Sequence, residues 1–411
     1  MGEQCPPELE DLGKKIVESC DGLPLSIVVL AGILAKLERS KACWSYVAEN
    51  EIWHHFQQKA KCIDILALSY KFLPQNLKPC FLYVGHYPKN SKIYVRKLIE
   101  LWIAEGLIPK ETGNKLPEDV AEYYLMELID RSLIQVESKR TDGGMKVCRI
   151  HDLLRAFCIE ESKRQKFYDI ITATGSSNLV NPRRLFMYQK ASTSSLGANH
   201  SSVRSLIFFG GGGGDLICWK AILKDFKLVR ILDISSTHMV PRIPNRIVHL
   251  IHLRYLKLRC VHGYSSRIPK AIFDLWNLET LEIAGISVIL PKSIEKLKCL
   301  KRLCLPRYSY IPSLNGPSNN LKILSYVSFR DSNGPSLCHM CELRKLGILL
   351  REEICNPHVF WQNLPTLANL QTLKIHGYNF PRIDTTFPSK LTKITLLLES
   401  EDISLNSWGH F

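Results

Sequence analysis

One hexad, returning nine times, constrains this chain more than any other feature. The pattern Leu-x-x-Leu-x-Leu, with aliphatic substitutes, stands at 203 (VRSLIF), 229 (VRILDI), 253 (LRYLKL), 278 (LETLEI) and 300 (LKRLCL). It continues at 321 (LKILSY), 343 (LRKLGI), 370 (LQTLKI) and 391 (LTKITL). Successive starts lie 26, 24, 25, 22, 21, 22, 27 and 21 residues apart. Alternation with a period of two makes each hexad a short strand with one buried face. Between the hexads, RIPNRIVHLIHL, RIPKAIFDLWNL and LPKSIEKLKCL share a proline followed by Ile and Leu at near-helical spacing, which returns the chain over the convex side. No single unit can bury its own leucines, so neighbours must stack into a curved solenoid.

This spacing falls within the leucine-rich-repeat range of about 20–29 residues. The leucines are core. The candidate contact residues are the outward ones beside them: Tyr255, Lys257 and Arg259 in one repeat, then Glu282, Arg302, Lys345, Lys374, His376 and Lys393. That face is basic with one aromatic, and it lacks the row of stacking rings on which single-stranded nucleic acid is held. A protein ligand is therefore expected, and nucleic acid is not.

At 411 residues the chain is too long for one compact domain, and 45% hydrophobic with 23% charged residues is globular composition. The formal charge of +15 is unevenly placed. Residues 1–170 carry 24 Lys and Arg against 24 Asp and Glu, whereas 171–411 carry 30 against 15. The whole excess belongs to the repeats. The longest apolar stretch, residues 26–35, is too short to span a membrane, and no secretory leader opens the chain. Fourteen scattered cysteines suit free thiols in a reducing compartment, so a cytoplasmic location is expected. Cys338-His339-Met340-Cys341 and the pair His249 and His252 each supply only half a metal site. No catalytic constellation can be named, so no enzymatic activity is expected.

The first half reads mainly as helices. KKIVESCDGLPLSIVVLAGILAKL is helix, turn, helix, broken at Asp21 and Gly22 with Pro24 just inside the second helix. Residues 65–87 continue with helical spacing up to the stop at Pro88, and 95–108 form an amphipathic helix closed by Gly106. Residues 118–138 run from helix into strand, DGG at 142–144 has hairpin-turn chemistry, MKVCRI returns as a strand, and a further helix opens at HDLLRAF. Helices with a two-stranded wing suggest a winged helix.

Four segments, GLPL at 22–25, LKPCFLYVGHYP at 77–88, LIELWIAEGLI at 98–108 and IHD at 150–152, occur in this order ahead of the repeats. Together they resemble the nucleotide-binding leucine-rich-repeat (NB-ARC/LRR) disease resistance proteins of plants, most of all the late blight resistance homologues. The resemblance covers nearly the whole chain. It implies an ADP/ATP switch in which Pro24 packs near the adenine and His151 approaches the β-phosphate; a plain helix start is the other reading of Pro24. For Asp152 the resemblance stands beside a local role, capping the next helix. Departures are equally plain. The string G-x-x-x-x-G-K-[ST] that grips phosphates is absent, and GGGGGD at 210–215 lacks its lysine. PKN at 88–90 replaces the family's PED, and Ile150 replaces methionine. The chain reads as clipped at both ends relative to the family.

The expected architecture is α+β and multi-domain: a helical part of the NB-ARC region at 1–65, a winged-helix domain at 66–170, a linker with a degenerate first repeat (RRLFMY) at 171–202, and a leucine-rich-repeat solenoid at 203–411. The expected function is that of a partial immune receptor. Its repeats bind a pathogen-derived or host protein and dock on the 66–170 region, where residues 111–130 carry six acids against one lysine.

Overall fold

The computed structural model describes residues 6–20, 22–48, 58–109, 116–140, 143–172, 182–188, 201–210, 219–236, 243–260, 266–285, 287–312, 320–329, 339–350, 357–377 and 386–398. The chain divides into two compact units, 1–169 and 170–411.

The first unit is mainly helical. Helices α1 (Pro7–Ser19) and α2 (Pro24–Leu34) flank a turn in which Gly22 takes φ +70°, and Pro24 opens α2 at its first position. Proline suits that position because its missing N–H would have had no partner within the helix. Helix α2 is apolar on most sides, burying Val29, Leu30 and Ile33, and α3 (Lys41–Ala48) packs on α1. The segment expected to run helically to Pro88 is instead two helices, α4 (Gln58–Lys71) and α5 (Lys78–Val84). Pro74 is the cause: it disfavours helical backbone at Leu73 and cannot donate to the turn before it.

Strand β1 (Ile93–Tyr94) leads into α6 (Val95–Glu105), which ends on Gly106 in the left-handed region at φ 74°. Helix α7 (Pro117–Asp130) follows, then strands β2 (Gln135–Lys139) and β3 (Met145–Arg149), then α8 (Asp152–Arg164). The three strands form an antiparallel sheet in the order β1-β3-β2, with Gly143 at φ 81° in the hairpin. Asp21 and Asp142 lie outside the described residues.

In the second unit the degenerate repeat forms a strand, β5 (Arg184–Met187), preceded in the same sheet by β4 (Asp169–Ile171). The nine hexads give β6 (Ser205–Phe208), β7 (Ile231–Asp233), β8 (Tyr255–Cys260), β10 (Thr280–Gly285), β12 (Arg302–Ile311), β13 (Ile323–Phe329), β14 (Lys345–Leu350), β15 (Thr372–Gly377) and β16 (Lys393–Leu398). Two short strands, β9 (Ser266–Arg267) and β11 (Val288–Ile289), and two helices, α9 (Trp219–Asp225) and α10 (Pro357–Asn363), lie between them. Every hexad strand starts at the third residue of its hexad, and β5 to β16 pair in parallel along the path.

Like pairs with like in this register. Leu232, Leu256, Leu281, Leu303, Leu324, Leu346, Leu373 and Ile394 form one row at the fourth hexad position. All of them except Ile394, in the last strand, are buried. The return segments are 3-10 turns, Asn245–His249, Lys270–Asp274 and Lys292–Lys296, each preceded by proline. Their Ile247, Ile272 and Ile294 enter the same core.

Asparagines stitch the repeats together. The side-chain amides of Asn277, Asn320 and Asn369 donate to the carbonyls of Ile251, Lys298 and Cys341 in the preceding turn, at 2.9, 2.8 and 3.0 Å.

Candidate functional site

Two places hold the residues singled out in the sequence, one in each unit. In the first, the chain leaves β3 and enters α8 through the IHD segment. His151 has extended backbone (φ −65°, ψ 143°), and its Nδ1 accepts the Leu153 N–H at 3.2 Å, capping the helix. An acceptor at Nδ1 places the hydrogen of the neutral ring on Nε2, which is thereby a donor.

The cap expected of Asp152 is therefore made by His151. Asp152 is the first helical residue, where a carboxylate suits the positive end of the helix dipole, and its Oδ2 meets Lys89 Nζ at 2.9 Å. Lys89 belongs to the PKN departure, so that substitution places a cation against the motif's aspartate. Arg155 Nε donates to the Tyr87 carbonyl at 2.6 Å, tying the first turn of α8 to the segment after α5. Replacing His151 by alanine is expected to cost about 1 kcal/mol in thermal unfolding, whereas asparagine, which also accepts at a cap, should restore most of it. Equal loss in both variants would show that the ring does not cap.

Pro24 is exposed at the start of α2. Further along that helix Gly32 lies against the Arg131 carbonyl at the end of α7, where an added Cβ would sit 2.6 Å from the oxygen. Lys36 Nζ, just past the end of α2, reaches Glu127 and Asp130 of α7 at 3.1 Å each. Glu127 also binds Arg131, and despite burial these cations hold its carboxyl below the usual range. Part of the acidic segment is thus matched inside the unit, with Glu122 also 3.4 Å from Arg140. Glu111 and Lys115 lie outside the described residues. The outer stripe of α7 carries Asp119, Tyr123 and Met126, and the last two are 58% and 54% exposed.

The second place is the strand face of the repeats, and three of its expected contact residues need correction. Tyr255 is fully buried, Arg302 is 8% exposed and His376 is 1% exposed. The hexad pattern gives the side of the sheet on which a residue lies but not its cover. Tyr255 stands in register between Ile231 and Thr280, and Arg302 between Thr280 and Ile323. Rows about 4.8 Å apart shield much of a long side chain lying among them. Burial, then Arg307 and Lys374, push the His376 imidazole down to about 4, so it is neutral at physiological pH.

Lys257 is half-buried and paired with Glu282 at 2.5 Å, and Asp233 stands beside it in register. The early strands thus carry acids among their cations. Arg259 is exposed, and Lys345 and Lys374 are half-buried. From β12 to β16 the strands carry Arg302, Arg307, Lys345, Lys374 and Lys393 and no Asp or Glu. The basic part of the face is its C-terminal half.

Among the described residues no group of three or more His, Cys, Asp or Glu could hold a metal, and no helix is long and apolar enough to cross a membrane. Cys338 and most of the GGGGGD segment lie outside those residues. Burial pushes the Cys148 thiol up to about 12 and the Cys158 thiol well above its ordinary value.

Residues 87–158 match the family model for the disease resistance protein winged helix domain, and residues 202–408 match that for a leucine-rich repeat region. The late blight resistance protein homologue R1B-16 of Solanum demissum is 36% identical over 321 residues, covering 75% of this chain and 24% of its own. The ToMV resistance protein Tm-2(2) of Solanum lycopersicum is 33% identical over 426 residues, covering 98% of this chain and 46% of its own. A solved leucine-rich-repeat protein of Leptospira interrogans is 15% identical, covers 58% of this chain and 86% of its own, and superposes with a TM-score of 0.28. The chain thus spans half or less of the length of these curated relatives. With a winged helix of the disease resistance type followed by repeats that fill half its length, the chain belongs to the leucine-rich-repeat disease resistance proteins of plants.

Proposed function

We propose that this chain is the regulatory and ligand-recognising portion of a cytoplasmic plant immune receptor, acting as an interaction protein and not as an enzyme. At rest the basic half of the repeat face docks on the winged-helix unit. An acidic surface on a pathogen-derived or host protein competes for the same face. The observation that carries this reading is the run of strands β12–β16 with five cations and no acid. The surface it would meet is the outer stripe of α7, where Asp119 flanks the exposed Tyr123 and Met126. An exposed aromatic and a methionine beside a carboxylate suit an anchor for a partner face, since aromatics and Met are enriched at such contacts.

The test is amide exchange of α7 in the full chain at low ionic strength, where charges act over about 30 Å. The triple variant Lys345→Glu, Lys374→Glu, Lys393→Glu should raise exchange in α7 severalfold. Unchanged exchange would overturn the docking.

A second reading, a nucleotide switch, is favoured by one observation: the capped His151 presents Nε2–H as a fixed donor. A phosphate would accept from it, and Pro24 would offer an apolar edge to an adenine. These residues fit ADP in part, because the phosphate-gripping loop is not among the residues of this chain. Retention of radiolabelled ADP by the purified chain, lost in His151→Ala, would support the reading; absence of retention would confine it to assemblies in which another segment supplies the loop.

A further inference from the structure

From Phe157 onward, roughly 9–20 Å from His151 at 1.5 Å per residue, α8 walls a cavity away from the IHD segment. A cavity of about 440 Å³ opens there between α4, α5 and α8. That volume falls within the usual range of small-molecule sites, about 300–1,000 Å³.

Its apolar wall is aromatic. Tyr70 is 8% exposed and meets Phe157 edge to face at 5.7 Å, with Phe167 on the same lining. Gln165 Nε2 donates to the Tyr70 hydroxyl at 3.0 Å, which fixes the ring.

Its rim is cationic. Lys78 Nζ lies 5.3 Å from the centre of the Tyr70 ring, and Lys71 is held by the Tyr46 hydroxyl at 3.3 Å. The only carboxylate among the lining residues, Glu161, is already taken: Arg164 Nε donates to it at 2.7 Å, and Gln165 donates as well. Arg164 above all holds that carboxyl below its ordinary range, so it stays ionised and bound. Among the described residues neither Lys71 nor Lys78 lies within ion-pair distance of a carboxylate, although the charge of Lys78 also acts on Glu161. The site thus offers the partly exposed rings of Phe157 and Phe167, backed by the buried Tyr70, beside an excess of positive charge.

We propose that this cavity binds a small planar anion, an aromatic carboxylate of one or two rings, seated among Tyr70, Phe157 and Phe167 with its charge toward Lys78. The proposal uses neither the repeat face nor His151, and goes beyond the docking reading.

The probe is 2-naphthoate, titrated onto the full chain and followed by naphthalene fluorescence anisotropy and by thermal unfolding. Saturable binding and a rise in Tm are expected. The uncharged ring analogue 2-naphthylmethanol should bind at least about tenfold more weakly, as should 2-naphthoate to Lys78→Met, which keeps the stem and removes the charge. Absence of saturable naphthoate binding overturns the proposal, and so does equal binding of the neutral analogue, which would mean an apolar surface only. Lys78→Met is read only if its ligand-free Tm matches the parent; otherwise Lys78→Gln takes its place, and the two probes on the unaltered chain decide the matter by themselves.

Discussion

Gly85→Ala is expected to destabilise the 1–169 unit by about 3 kcal/mol, the upper end of the usual overpacking cost, and to lower its Tm by about 6–12 °C. Gly85 ends α5 with ordinary helical backbone at φ −63°, so alanine brings no conformational strain. The whole penalty is steric. An added Cβ would fall on the Cβ of Cys158 and stand 2.8 Å from the Tyr168 hydroxyl and 3.3 Å from the Leu82 carbonyl. None of these neighbours yields easily. Cys158 is fully buried in α8 with its thiol directed at the Phe81 carbonyl, and Tyr168 is 1% exposed. The cause can be isolated with Cys158→Gly, which removes the colliding atom at the cost of a helix glycine and a small cavity. In a double-mutant cycle the two changes should then be far less than additive. Simple additivity, or a Tm within about 1 °C of the parent for Gly85→Ala alone, would mean that α5 and α8 do not meet at this glycine.

That contact also marks the boundary of what the sequence discloses. The repeats were legible because every hexad carries its own evidence: a period of two, a leucine at the fourth place, a fixed distance to the next. Register follows once the leucines must lie in one row. Helix ends carrying Gly106 and Pro24 were legible for the same local reason.

Cover was not legible. Tyr255 and Arg302 sit on the outward side, yet their exposure depends on Ile231, Thr280 and Ile323 in other repeats. The cap of α8 was expected of Asp152, and His151 makes it. Aspartate is the stronger cap by general preference, but the helix begins at Asp152 itself, so the extended residue before it, His151, holds the capping position. Pro74 interrupts a stretch whose apolar spacing continues on both sides of it, and that spacing alone reads as one helix. The Lys36 pairs with Glu127 and Asp130 join residues 91 and 94 apart, and the cavity joins 67–82 to 157–167. No local pattern announces either. Of the candidate contact face, then, the side and the sign of the charge could be read from the hexads, and folding decided which of those residues stay exposed.

A second large effect separates the two sides of that sheet. Leu281→Ala should cost about 2–5 kcal/mol, the range for truncating a buried leucine, whereas Lys345→Ala should stay within about 0.5 kcal/mol. Leu281 is fully buried at the fourth hexad position, in register between Leu256 and Leu303. Lys345 occupies the third position and is half-buried. In a stacked array each repeat touches only its neighbours, so a lost leucine weakens two interfaces at once and little beyond them. Native-state amide exchange should therefore show protection falling most in β8, β10 and β12 and far less in β15. Urea denaturation would supply the total. A loss spread evenly over all strands would point to a single cooperative block in place of nearest-neighbour stacking. Equal costs at the two positions would contradict the assignment of inward and outward rows, and with it the basic face on which ligand recognition is proposed.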